Sequence, residues 1–144
     1  MPLNKTVFTI TNQTNRVCPA TFLRRAPALL KAVQVVAGVK MAEVSLVLVD
    51  SLLIKQLNRR YRRINKVTDI LSFTYQVAPV KGELIICLEQ AARQAKRRRQ
   101  SLSRELSLLL VHGLLHLNGY DHKKLNERRL MRRLEKKIIS YEPK

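Results

Sequence analysis

The segment His112 to His122, HGLLHLNGYDH, constrains this chain more than any other, because it gathers all three of its histidines within eleven residues. On a helix, His112 and His116 stand one turn apart and project from the same face, so both can present a ring nitrogen to one metal ion. A helix continued through residue 122 would rotate His122 by about 600° relative to His116 and carry it about 9 Å along the axis, away from that ion. The helix must therefore stop between them. Gly119 supplies the stop, since glycine readily takes the left-handed conformation that turns a chain back across the last helical turn. The expectation is a metal centre held by His112, His116 and His122. Three neutral imidazoles leave a fourth position open to water, as in a catalytic rather than a structural zinc centre. An ion in such a centre brings the pKa of that water toward ~7 and polarises the bond under attack. A lone histidine is usually a packed, hydrogen-bonded side chain, but a helical pair followed by a breaking glycine and a third imidazole is a far more specific pattern. Zinc is the expected ion, although three-nitrogen sites also accept nickel, copper or cobalt.

The spacing is that of the metzincin peptidases, H-E-x-x-H-x-x-G-x-x-H. One residue departs from it. Gly113 stands where those enzymes place the glutamate that acts as general base, which argues against peptide hydrolysis. Chemistry in which a metal and a cation do most of the work fits better. Phosphodiester cleavage is of that kind, because the developing charge spreads over phosphoryl oxygens.

The remaining pattern predicts one domain over residues 1–144 with an α+β fold: a small mixed β-sheet packed with helices, one of them the zincin-like metal-site helix. Thr6 to Thr11 is rich in β-branched residues and reads as a strand, whereas Phe22, Ala26, Leu29, Leu30, Val33 and Val36 recur at helical spacing. Pro27 interrupts that helix unless it lies in a first turn. Val44, Leu46 and Leu48 alternate with Ser45, Val47 and Val49, apolar on both faces, as in an inner strand ending at Asp50. Asp50 can cap a following helix that carries Leu53, Leu57 and Tyr61. Strands over Ile70 to Tyr75 and Glu83 to Leu88, with Pro79 and Gly82 in the turn between them, suggest a hairpin. Helical composition resumes over Glu89 to Arg99, Ser103 to Leu117 and Lys124 to Ile139.

Charge narrows the partner. Twenty-eight Lys and Arg against ten Asp and Glu leave a net +18 in 144 residues, and such a surface attracts polyanions. Nucleic acid is the leading candidate, with an anionic membrane surface or simple solubility as the alternatives. No apolar run approaches the roughly 20 residues of a membrane helix. The amino terminus lacks the order of features that marks a signal peptide, so a cytoplasmic location is expected. Cys18 and Cys87 are too far apart for a metal-spaced pair and read as ordinary thiols. In the last helix Leu130, Leu134 and Ile138 repeat at four-residue intervals beside Met131, predicting an inward stripe. Arg128, Arg129, Arg132, Arg133, Lys136 and Lys137 then form either a solvated face or, with the basic residues from Arg93 to Arg99, a surface along an RNA backbone. Glu105 reads as a favourable first-turn charge rather than a base, and Asp121 as an orienter of an imidazole or a support of the turn.

HGLLHLNGYDH, together with LNRRYRRINKVTDILSF and GELIICL in that order, resembles the YbeY family of metal-dependent endoribonucleases, and Glu127, Met131 and Glu135 echo its tail. The resemblance implies a zinc bound by His112, His116 and His122, and a single-strand-specific RNA cleavage that matures the 3′ end of 16S ribosomal RNA and serves ribosome quality control. Ribosomal RNA and the small ribosomal subunit are the implied partners; neither membrane nor DNA is expected. Arg62 matches the arginine the family uses at its active site, where a guanidinium gives paired hydrogen bonds to phosphate oxygens. Attack by water and attack by the substrate's 2′-hydroxyl both remain open. A ribosome-associated RNA-binding protein with a structural metal and little catalysis is the alternative function. The chain departs from the family pattern at Thr74, where proline is usual, at Glu83, where aspartate is common, in a short connection between those strands, and in a tail where acidic residues are frequent.

Overall fold

The computed structural model describes residues 5–121 and 123–141. Four strands, β1 (Val7–Asn12), β2 (Met41–Val49), β3 (Ile70–Val77) and β4 (Val80–Cys87), form one mixed sheet in the order β1-β2-β4-β3. β1 and β4 both run parallel to β2, and β3 pairs antiparallel with β4 as a hairpin edge. The described residues also form five helices: α1 (Ala20–Ala37), α2 (Ser51–Arg62), α3 (Leu88–Arg97), α4 (Leu102–Leu117) and α5 (Leu125–Ser140). The expected α+β architecture is the one observed.

The two-faced apolar pattern of β2 follows from its position. Val44, Leu46 and Leu48 point into the main core with Leu84 and Ile86 of β4, under α1, α4 and α5. Val47 and Val49 belong to a second, smaller cluster in which Ile54, Leu53 and Leu57 of α2 cover the other face beside Leu71, Ile85 and Phe73. A strand buried on both sides must be apolar on both. Asp50 ends β2 and caps α2, its carboxylate accepting from Leu53 N–H at 2.9 Å. Tyr61 is half exposed, so the inward side of α2 is the one bearing Ile54 and Asn58.

Three local expectations are corrected. Pro27 lies well inside α1 rather than in its first turn. It is tolerated because Pro27 and Leu23 are both exposed, leaving the carbonyl that loses its helical donor free to meet solvent. Gly82 lies within β4 and not in the turn, which shrinks to Ala78 and Pro79. A Cβ at Gly82 would sit 2.7 Å from Leu117 Cδ2 and 2.9 Å from the Phe73 carbonyl oxygen, so the bare backbone is what lets the end of α4 settle on the hairpin. On α5 the inward stripe is Met131, Leu134 and Ile138, with Leu130 turned outward. Both cysteines are free and buried, and burial pushes the Cys18 thiol up from its ordinary pKa.

Candidate active site

α4 is held from all sides. Ser101 caps it by accepting from Arg104 N–H at 3.1 Å, and Leu106, Leu110, Leu114 and Leu115 are fully buried along it. Glu105, in its first turn, is also fully buried. Its carboxylate accepts from Arg98 Nη1 at 2.9 and 3.2 Å and from Gln100 Nε2 at 3.0 Å. These bonds satisfy a charge that would otherwise be costly at that depth, and they tie the α3–α4 turn to the helix. That assigns Glu105 a structural contact, in line with its reading as a first-turn charge.

The histidine pair emerges where α4 crosses β3. The His112 and His116 rings lie 4.7 Å apart, centroid to centroid, on one side of the helix, and both line a cleft of about 510 Å³ with Ile70 and Ser72 of β3. Gly113 brings helix and sheet together there. It is buried, and a Cβ on it would fall 2.7 Å from Ile70 Cδ1 and 2.8 Å from Leu84 Cδ2. The position that carries the general base in metzincins is thus spent on packing against the sheet, which gives a physical reason for the missing glutamate.

The end of α4 has the geometry its sequence predicts. Gly119 has φ +90°, its N–H donates to the His116 carbonyl at 3.0 Å, and Tyr120 N–H donates to the Leu115 carbonyl at 3.1 Å. This pair of bonds is a Schellman reversal with glycine at the left-handed position. Nothing crowds a Cβ at Gly119, so the requirement is one of backbone conformation alone. His122 lies outside the described residues. Among the described residues no group of three or more His, Cys, Asp or Glu side chains gathers as a metal cluster; of the three imidazoles expected from the sequence, the described residues include His112 and His116.

Arg62 reaches the same cleft from the opposite layer. It is the last helical residue of α2, which ends as Arg63 takes a left-handed φ of 59° and donates its N–H to the Arg59 carbonyl. Buried Asn58 donates to the Lys66 carbonyl at 3.0 Å and so pins the following loop. The Arg62 guanidinium lies 5.0 Å from the Phe73 ring centroid and donates from Nη2 to the Ser72 carbonyl at 2.8 Å. One of its five N–H donors is committed to the protein by that bond, and the stack restricts the plane of the group. Arg62, His112 and His116, separated by up to 54 positions in the chain, line one cavity.

Two further carboxylates take part that pattern reading did not single out as site residues. Glu135 Oε1 lies 3.4 Å from His112 Nδ1, a contact through which a carboxylate orients an imidazole ring. An acidic residue on the inward side of α5, next to Leu134, was the available signal. Asp69 lines the cleft beside His112, with its Oδ2 accepting from Gln94 Nε2 at 3.1 Å. Thr74 donates to the Leu117 carbonyl at 3.4 Å, a tie between the hairpin and the end of α4 that proline cannot make. The donor set fits a transition metal such as zinc: two imidazoles one turn apart on a rigid helix, one of them backed by a carboxylate.

Fold and site together define an α+β domain with a histidine-bearing helix laid across a hairpin and an arginine entering from the opposite layer. The profile of the family described as Endoribonuclease YbeY matches residues 9–141. An Endoribonuclease YbeY of Pelotomaculum thermopropionicum is 45% identical over 107 residues, covering 68% of this chain and 70% of its own. That of Carboxydothermus hydrogenoformans is 47% identical over 100 residues, covering 67% and 70%. The solution structure of the Thermotoga maritima protein TM1509 shares the fold, with a TM-score of 0.61 at 24% identity over 92% of this chain and 89% of that one. The chain belongs to the YbeY endoribonuclease family. No helix among the described residues is long and apolar enough to cross a membrane.

Proposed function

We propose that the protein is a zinc-dependent, single-strand-specific endoribonuclease of the cytoplasm that matures the 3′ end of 16S ribosomal RNA and acts in ribosome quality control, with ribosomal RNA and the small ribosomal subunit as its partners. The observation that carries the reading is the meeting of Arg62 with His112 and His116 in one cleft. His112, His116 and, from the sequence, His122 would hold the ion. A bound zinc ion supplies Lewis-acid polarisation of a phosphoryl group and activates water at neutral pH. Arg62, always charged and already oriented by Ser72 and Phe73, donates to phosphate oxygens and stabilises the charge that grows on them. Glu135 fixes the His112 ring.

The test compares wild type with Arg62→Ala and His116→Ala on single-stranded ribosomal RNA fragments, with metal content measured on the same preparations. His116→Ala is expected to lose both metal and cleavage, whereas Arg62→Ala keeps the metal and loses about 10²–10³-fold in rate. Cleavage unchanged in both variants would assign the activity to a contaminant. It would favour the alternative that the net +18 charge also supports, a ribosome-associated RNA-binding protein in which the metal is structural. A 2′,3′-cyclic phosphate on the product marks attack by the substrate's own hydroxyl; its absence marks hydrolysis by water.

A further inference from the structure

Two more cavities continue the cleft along the seam between α4 and α5. The first, about 350 Å³, shares His112 and Asp69 with the cleft and is lined by Arg98, Arg128 and Arg132. The second, about 340 Å³, shares Arg132, Glu135 and Leu108 with the first and adds Arg104 and Lys136. Arg128, Arg132 and Lys136 are spaced four residues apart on α5, so they form one row that rises about 6 Å per step, comparable with the separation of successive phosphates along an extended strand.

The carboxylates of these cavities are already engaged. Glu105 accepts from Arg98 and Gln100, Glu135 faces His112, and Asp69 accepts from Gln94. Among the described residues, no carboxylate lies within ion-pair distance of Arg128, Arg132 or Lys136. The two cavities together are lined by five cations, Arg98, Arg104, Arg128, Arg132 and Lys136, against the three carboxylates Asp69, Glu105 and Glu135, so the seam is a groove of net positive charge with a row of cations on one wall leading away from His112. Charge of this kind, unpaired and in register with a groove, suits a phosphodiester backbone.

We infer that the α4–α5 seam is a backbone track for single-stranded RNA, in which Arg128, Arg132 and Lys136 bind successive phosphates of the strand on one side of the bond presented at His112. The track rests on that part of the proposed function which makes RNA the ligand of this protein. It holds a strand several nucleotides long by its backbone, without reading its bases.

Two triple variants with the same formal charge decide it. Arg128→Gln/Arg132→Gln/Lys136→Gln empties the row along the seam. Arg129→Gln/Arg133→Gln/Lys137→Gln removes equal charge from exposed positions next to it on the same helix. Binding of a labelled oligouridine about a dozen residues long is measured by fluorescence anisotropy across a salt series, with thermal melts confirming that both variants fold. The seam variant is expected to lose about ten- to a hundred-fold in affinity at ~0.1 M salt and to show a salt slope shallower by about two, the value for three lost single-strand contacts. The control variant stays within about threefold of wild type. Equal losses in the two variants would make the attraction a property of diffuse charge and overturn the track, as would no loss in either. Cleavage is scored separately: a wild type that does not cut RNA but binds it in a row-specific way refutes the enzymatic reading and leaves the track standing.

Discussion

Helices α4 and α5 are each sixteen residues long, yet α4 buries ten of its residues and α5 only Met131 and Ile138. α4 is wedged between the sheet and the other helices, so its histidines are aimed by packing. α5 lies on the outside, tied to α1 by Arg25, whose Nη2 donates to the Ile139 carbonyl at 2.7 Å, and its basic residues are largely solvated. The difference teaches that the two halves of the proposed function have different tolerances. Geometry at the histidine pair depends on the core and is lost with it, whereas the charge available to a polyanion sits on a surface that can change without unfolding the chain. A family pattern with frequent acidic residues in the tail and this strongly basic version can thus share one fold.

The contrast breaks first, and with the largest effect, at Gly113. Gly113→Glu restores the peptidase residue, but it places a carboxylate where a Cβ alone meets Ile70 and Leu84. A loss of about 4 kcal/mol or more is expected, or failure to fold, in chemical denaturation. Wild-type stability in that variant would refute the packing account of the missing glutamate. Leu114→Ala in α4, at a fully buried position, should cost about 2–5 kcal/mol through the cavity it leaves. Leu130→Ala on the outer face of α5 should stay within about 0.5 kcal/mol. Comparable losses for these two leucines would erase the distinction between the helices.

Gly119→Ala sharpens it at the junction. The φ of +90° strains any L side chain while the open space around the position accommodates one, so a loss of about 1–2 kcal/mol is expected without disturbance of the core. Thermal melts read the loss, and hydrogen exchange at the Tyr120 amide, bonded to the Leu115 carbonyl, should report the loosened reversal.

Local chemistry was legible in the sequence wherever one residue type answers one local demand. Asp50 as a cap, Gly119 as a reversal, the inner-strand pattern of β2 and the one-turn spacing of His112 and His116 follow from backbone geometry and periodicity, and each is found as expected. Pro27 and Gly82 misled because their roles depend on what lies opposite: solvent beside the Leu23 carbonyl in one case, and Leu117 against the strand in the other.

Charge, the mixed α+β class and the paired imidazoles are short-range properties, written in composition and in spacings of a few residues, and the chain alone determined them. Arg62 was expected at the site from the family resemblance and from no local period; only the tertiary structure decided that Glu135 from the last helix and Asp69 from the sheet edge would stand beside those imidazoles. Contacts between residues tens of positions apart arise from how whole apolar faces pack, and no local period encodes which polar side chains that packing brings together.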